Sequence, residues 1–152
     1  MVNKSPAAAQ TLQFEVTNYI VSSEWLPVED EDGHVLGVQK REGNAVFTNR
    51  ENAKYSFVGA FDVPYGRDGI ANGYTKLDFA DGSVIMLAWT SALPWVDGQL
   101  PSNKGQGTII KGTGRFEGIR GTSVFSGRQL KPASQDPKFT AVANVTLTYT
   151  LP

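Results

Sequence analysis

Hydrophobic and polar residues alternate with a period of two over much of this chain, the pattern of strands with one face buried. Thr11 to Val21 sets Leu12, Phe14 and Val16 against Gln13, Glu15 and Thr17. Lys54 to Val63 sets Tyr55, Phe57, Gly59 and Phe61 against Ser56, Val58 and Ala60. Phe139 to Leu151 sets Phe139, Ala141, Ala143, Val145, Leu147 and Tyr149 against Thr140, Asn144, Thr146, Thr148 and Thr150. Shorter strand-like runs cover Val35 to Gln39, Ala45 to Asn49, Ala71 to Phe79, Ser83 to Thr90, Gly105 to Lys111 and Thr122 to Gln129. Between them, Ser22 to Gly33 reads as a loop and Lys40 to Asn44 as a turn, because Gly43 and Asn44 tolerate positive φ. Ala80-Asp81-Gly82 reads as a hairpin turn. Ser91 to Asn103 and Pro132 to Pro137 read as longer loops. Helical periodicity never lasts beyond a single turn, expected at Arg115 to Gly118.

About eight to ten short strands in one chain make an all-β fold, either a sandwich or a closed antiparallel barrel. Closure is favoured because it removes the sheet edges that a strand-rich chain must otherwise protect. In Val84 to Trp89 both faces are apolar, so that strand is expected to be buried on both sides. One side would face the lumen and the other a covering loop or a second subunit, which predicts a homo-oligomer, a dimer or a trimer. The 152 residues fit one domain, expected over residues 11–152 behind a flexible tail over residues 1–10.

Composition narrows the chemistry. Hydrophobic residues reach 40% and charged residues 19%, enough for a packed core. Lys and Arg number 14 against 15 Asp and Glu, which gives no electrostatic footprint for nucleic acid or an anionic membrane surface. The chain has no cysteine, which excludes a disulfide framework, thiolate catalysis and cysteine-bound zinc. The apolar run Val84 to Trp89 is far shorter than a membrane-spanning helix, so membrane insertion is not expected. A cytoplasmic location is the working expectation.

One stretch says more than a generic barrel. Ile109 to Phe125 contains Gly112, Gly114, Phe116, Gly118 and Gly121, a strand that ends in a Gly-spaced connector and resumes at once. This stretch resembles the penultimate connector of allene oxide cyclase and dirigent barrels. Lys54 to Gly66 is similar to the cyclase strand rich in Tyr, Ser and Phe, and Glu31 to Gly37 to its early acidic-Gly turn. The resemblance implies an eight-stranded antiparallel closed β-barrel of calycin-like shape, with an apolar small molecule in its lumen. It also implies that Glu15 stands where the cyclase carries its important glutamate, with Asn18 close by. The cyclase's pocket cysteine has no counterpart here. The glycines serve tight turns and close backbone approach, with Phe116 expected to plug one barrel end. No Gly-Lys-Ser/Thr follows them, so the connector is not a phosphate loop.

Glu15 is the candidate catalytic acid, since a carboxylate turned into the lumen would be desolvated and suited to acid/base work. The alternative is a solvent-facing acid opposite the Phe14 and Val16 face. Tyr19, Tyr55, Tyr74, Trp89 and Trp95 are candidate ligand-lining aromatics, and Arg128 a candidate counter-ion to Glu15 or to a ligand carboxylate. His34, the single histidine, reads as a surface turn residue, and the acidic run Glu29 to Asp32 does not match a calcium loop. No metal and no cofactor is expected. Three readings follow. The first is a cyclase-like barrel that binds an apolar molecule and directs its cofactor-free cyclisation or isomerisation. The second is a lipocalin-like carrier. The third is a structural barrel acting through its oligomer surface. The sequence leaves open whether the chain is an enzyme.

Overall fold

The inward alternation closes on itself. The computed structural model describes Ser5, residues 7–132 and residues 134–152. Eight strands run β1 (Gln10–Pro27), β2 (Val35–Phe47), β3 (Asn52–Val63), β4 (Gly69–Phe79), β5 (Val84–Leu93), β6 (Ser102–Thr113), β7 (Arg120–Gln129) and β8 (Ala141–Thr150). Each pairs antiparallel with its neighbour, and β1 pairs with β8 to complete a closed barrel. Of the expected tail, residues 1–4 and 6 lie outside the described residues, and Gln10 already belongs to β1.

Two expected breaks are absent. Ser22 to Pro27 continues β1 instead of opening a loop, and Lys40 to Asn44 lies inside β2, so two expected strands are one. The physical reason is that Phe14 to Pro27 of β1 pairs along the whole length of β2, interrupted only by a bulge at Val21 between Ile20 and Ser22. Gly43 serves close approach, not a turn: a Cβ there would stand 2.0 Å from the carbonyl oxygen of Thr17. The bulge also reverses the alternation of β1, so Val16 and Asn18 point inward before it and Trp25 after it. At the other terminus β8 begins at Ala141, because Phe139 adopts φ 50° in a turn closed by Asp136.

The short turns β2–β3, β4–β5 and β6–β7 gather at one end, which is packed shut. The Asp81-Gly82 hairpin is there, with Gly82 at φ 85°. The Gly-spaced connector forms one 3-10 turn, Gly114–Phe116, that carries Phe116 into the barrel to 5% exposure. Phe116, Phe79, Phe47 and Phe14 then stack in sequence with centroids 4.9, 5.3 and 4.8 Å apart. Arg115 lies over the Phe79 and Phe116 rings and is ion-paired to Glu51 and Asp81. In β5, Ile85 and Leu87 fill the interior, while Val84, Met86 and Ala88 face outward and are half-buried.

Truncating the plug should open this end. Phe116→Ala is expected to cost about 3–5 kcal/mol of stability, as for other buried phenylalanines. Urea denaturation would read this, and a loss below about 1 kcal/mol would show that the end is sealed without that ring.

Candidate functional site: the lumen and its mouth

The opposite end carries the four long loops and stays open. A cavity of about 540 Å³ runs from this mouth into the barrel as far as Phe14, the innermost ring of the packed end. A broader and more open concavity of about 970 Å³ lies mainly on outward positions such as Ala60, Asn72, Thr90 and Gln106. The one inside the barrel is the less open and the better candidate site, because small-molecule pockets bury most of their ligand.

Glycines make the room. Gly59, Gly73, Trp89 and Gly107 stand in one register row across β3, β4, β5 and β6. A Cβ at Gly73 would lie 2.6 Å from Cζ2 of Trp89, and one at Gly59 would lie 2.9 Å from its Cη2. The indole therefore lies flat over bare backbone, edge-on to Phe57 and Phe125 at centroid distances of 5.3 and 6.0 Å. Its Nε1–H is buried and meets no acceptor among the described residues.

The polar group at the centre of the lumen is Arg41, 8% exposed. Its Nε donates to Asn18 Oδ1 at 2.6 Å, and its Nη2 donates to the Phe139 carbonyl. The turn that aims that carbonyl is held by the Asp136 carboxylate, which accepts from the backbone N–H groups of Lys138 and Thr140 at 3.0 and 2.8 Å. Burial pulls Arg41 down to about 10, against the pull of Tyr55 and Asp136, so it stays charged at neutral pH. Burial pushes the neighbouring Tyr55 phenol up to about 12, against the Thr75 side chain and Arg41, so it stays neutral.

The sequence candidates divide by strand parity. Glu15 is exposed on the outer face, apart from the lumen. Tyr19, beneath the Lys138 ammonium, and Tyr74, 59% exposed, share that outer side. Asn18, Tyr55, Trp89 and Trp95 border the cavity, and Arg128 is exposed where β7 reaches the mouth. Arg41 is not among the sequence candidates because Lys40 to Asn44 has the composition of a turn. Its parity with the buried Ala45 and Phe47 was the signal.

One side of the mouth is clasped by His34. Its Nδ1–H donates to Asp30 Oδ1 at 2.7 Å and its Nε2–H to Asp62 Oδ1 at 2.5 Å. Arg67 donates to Glu31, and Tyr65 covers Gly33 and meets Trp95 edge-on at 5.1 Å. The loops after β1, β3 and β5 are thereby tied together. Asp30, Glu31 and His34 do bring one ligand atom each within 4.8 Å of one another. Both imidazole nitrogens are committed as donors and Glu31 is paired, so no metal site follows.

Asp62 and then Asp30 hold His34 above its usual 6.5, and His34 holds Asp30 below its usual 3.8. The stabilisation from His34 is therefore full below about pH 6.5 and is lost as pH rises through its raised value. The Asp30 share is present above about pH 3.8 and is lost as pH falls through its depressed value. An NMR titration of this single histidine is expected to give a midpoint above 6.5, with Asp62→Asn lowering it. A midpoint at or below 6.5 would show that the clasp does not form in solution.

No protein-family profile and no curated protein sequence matches the chain. Among solved structures it is similar to the pterocarpan synthase dirigent protein GePTS1, with a TM-score of 0.51 and 12% identity over 93% of this chain and 89% of that one. A second pterocarpan synthase dirigent protein, PsPTS1, aligns over 94% of this chain and 95% of its own, with a TM-score of 0.47 and 11% identity. The likeness is one of fold: this chain is a dirigent-like, eight-stranded barrel.

Proposed function

We propose that this barrel binds an apolar small molecule in its lumen through the mouth framed by Trp25, Trp95 and Phe139. The observation that carries the reading is the unequal filling of the interior. One end is packed with four phenylalanines, and the other keeps about 540 Å³, with the Trp89 ring on its wall laid back over Gly59 and Gly73. That volume lies in the range of small-molecule pockets, ~300–1,000 Å³. A barrel serving only as a structural unit gains nothing from an unfilled half, since lost packing costs stability.

The catalytic form of the proposal is a cofactor-free cyclisation or isomerisation guided by the shape of the walls. It draws on Arg41 and Tyr55, the polar pair inside, and not on Glu15, whose position is on the outer face. The carrier form needs only the cavity. Incubation with a bound ligand separates the two, since a carrier releases it unchanged. Homo-oligomer formation belongs to the proposal as well, through exposed outward residues such as Val58, Ile70 and Tyr74.

The neutral fluorophore N-phenyl-1-naphthylamine is expected to bind the wild-type barrel. Ala143→Phe, which sends a ring into the cavity from β8, should weaken that binding at least tenfold. Tyr74→Ala on the outer face should leave it unchanged. Retained binding in Ala143→Phe together with loss in Tyr74→Ala would move the site to the outer face.

A further inference from the structure

The polar groups of the lumen are unbalanced in sign. Among the described residues, those that line the cavity include two arginines, Arg41 and Arg128, and no Asp, Glu or Lys. This holds in a chain whose formal net charge is -1, so the positive interior is local and is not a reflection of overall basicity. Arg41 is more than nine-tenths buried, and burying a cation without a partner anion is costly. Its two hydrogen bonds, to Asn18 Oδ1 and the Phe139 carbonyl, are to neutral acceptors. No ion pair of Arg41 is present among the described residues. The nearby Asp136 carboxylate does not line the cavity, and it is committed to the backbone of Lys138 and Thr140.

The chain goes to some length to hold this cation still. Phe139 is a bulky residue held at φ 50°, a region that L side chains rarely adopt, and that turn aims its carbonyl at Arg41. Asn18 fixes the guanidinium from the neighbouring strand β1. Held by these two neutral acceptors, the guanidinium shares the cavity lining with Phe57, Trp89 and Phe125. The buried indole N–H of Trp89 adds an unmet donor and no acceptor.

From this arrangement we infer that the ligand is a flat, apolar molecule bearing an anionic oxygen, and that Arg41 is its counter-ion. Arg128 at the mouth provides a second positive charge along the way in. The inference rests on the proposed lumen binding and adds the charge of the ligand. It also reverses the polarity that a lumen carboxylate at Glu15 would have supplied. Such a carboxylate suits developing positive charge, whereas this interior suits a carboxylate, a phenolate or an enolate.

The test uses two fluorescent probes of the same shape, anthracene-2-carboxylate and neutral anthracene-2-carboxamide, titrated against the wild-type protein at neutral pH. The carboxylate is expected to bind at least tenfold tighter. Arg41→Met should bring the two to parity by weakening the carboxylate alone. Arg41→Lys, which keeps the charge and loses the fork, should retain part of the preference and serves if Arg41→Met does not fold. Equal affinities in the wild type, or a preference that survives Arg41→Met, would overturn the inference while leaving lumen binding intact. If neither probe binds, the lumen reading itself falls and the ligand's charge with it.

Discussion

Closure of β1 onto β8 sends every second side chain of eight strands into one narrow lumen, where they compete for the same volume. The two ends settle that competition differently. Toward the short turns Phe14, Phe47, Phe79 and the connector's Phe116 interlock with Leu77, Ile85 and Leu147 and leave no open space. Toward the long loops the corresponding rows carry Gly59, Gly73 and Gly107, and the single large side chain in their row, Trp89, lies flat against them. Glycine is a weak strand residue, and its repeated use in one row at the wall makes sense where backbone and ring must meet closely. The cavity is thus written into the pattern of inward residue sizes.

Once the lumen is open, its electrostatics follow from strand parity. Inward positions before the Val21 bulge place Asn18 inside and Glu15 outside, and β2 places Arg41 diagonally across from Asn18. The Glu15 carboxylate, three positions before Asn18, therefore never meets the interior, and the charge that does is positive. A shared barrel fold does not carry a shared chemistry. The likeness to a dirigent protein accounts for the architecture, while the site has to be judged from Arg41, Trp89 and the residues around them.

Much of this architecture was legible in the sequence. The alternations from Thr11, from Lys54 and toward Leu151, the Asp81-Gly82 hairpin and the Phe116 connector are local signals, and each is found where its residues put it. The misreadings came from residues whose local preference was overridden by pairing. Gly43 and Asn44 read as a turn, yet Gly43 is there because the Thr17 carbonyl comes too close for any side chain. Treating Lys40 to Asn44 as a break hid Arg41. The Val21 bulge, which decides that Trp25 faces inward, leaves no mark in composition. The outward position of Glu15 was already implied by Phe14 and Val16 on either side of it. The clasp of His34 between Asp30 and Asp62 depends on a contact across the fold that sequence spacing does not show.

The central claim is that the open half of the barrel is a ligand chamber, and native mass spectrometry of the purified protein tests it most directly. Gentle transfer should show a fraction of the protein carrying a small molecule, and denaturation should release a flat, apolar acid. A protein that stays empty in native spectra, both as purified and after incubation with a panel of aromatic acids, lipids and terpenoids, would contradict the account.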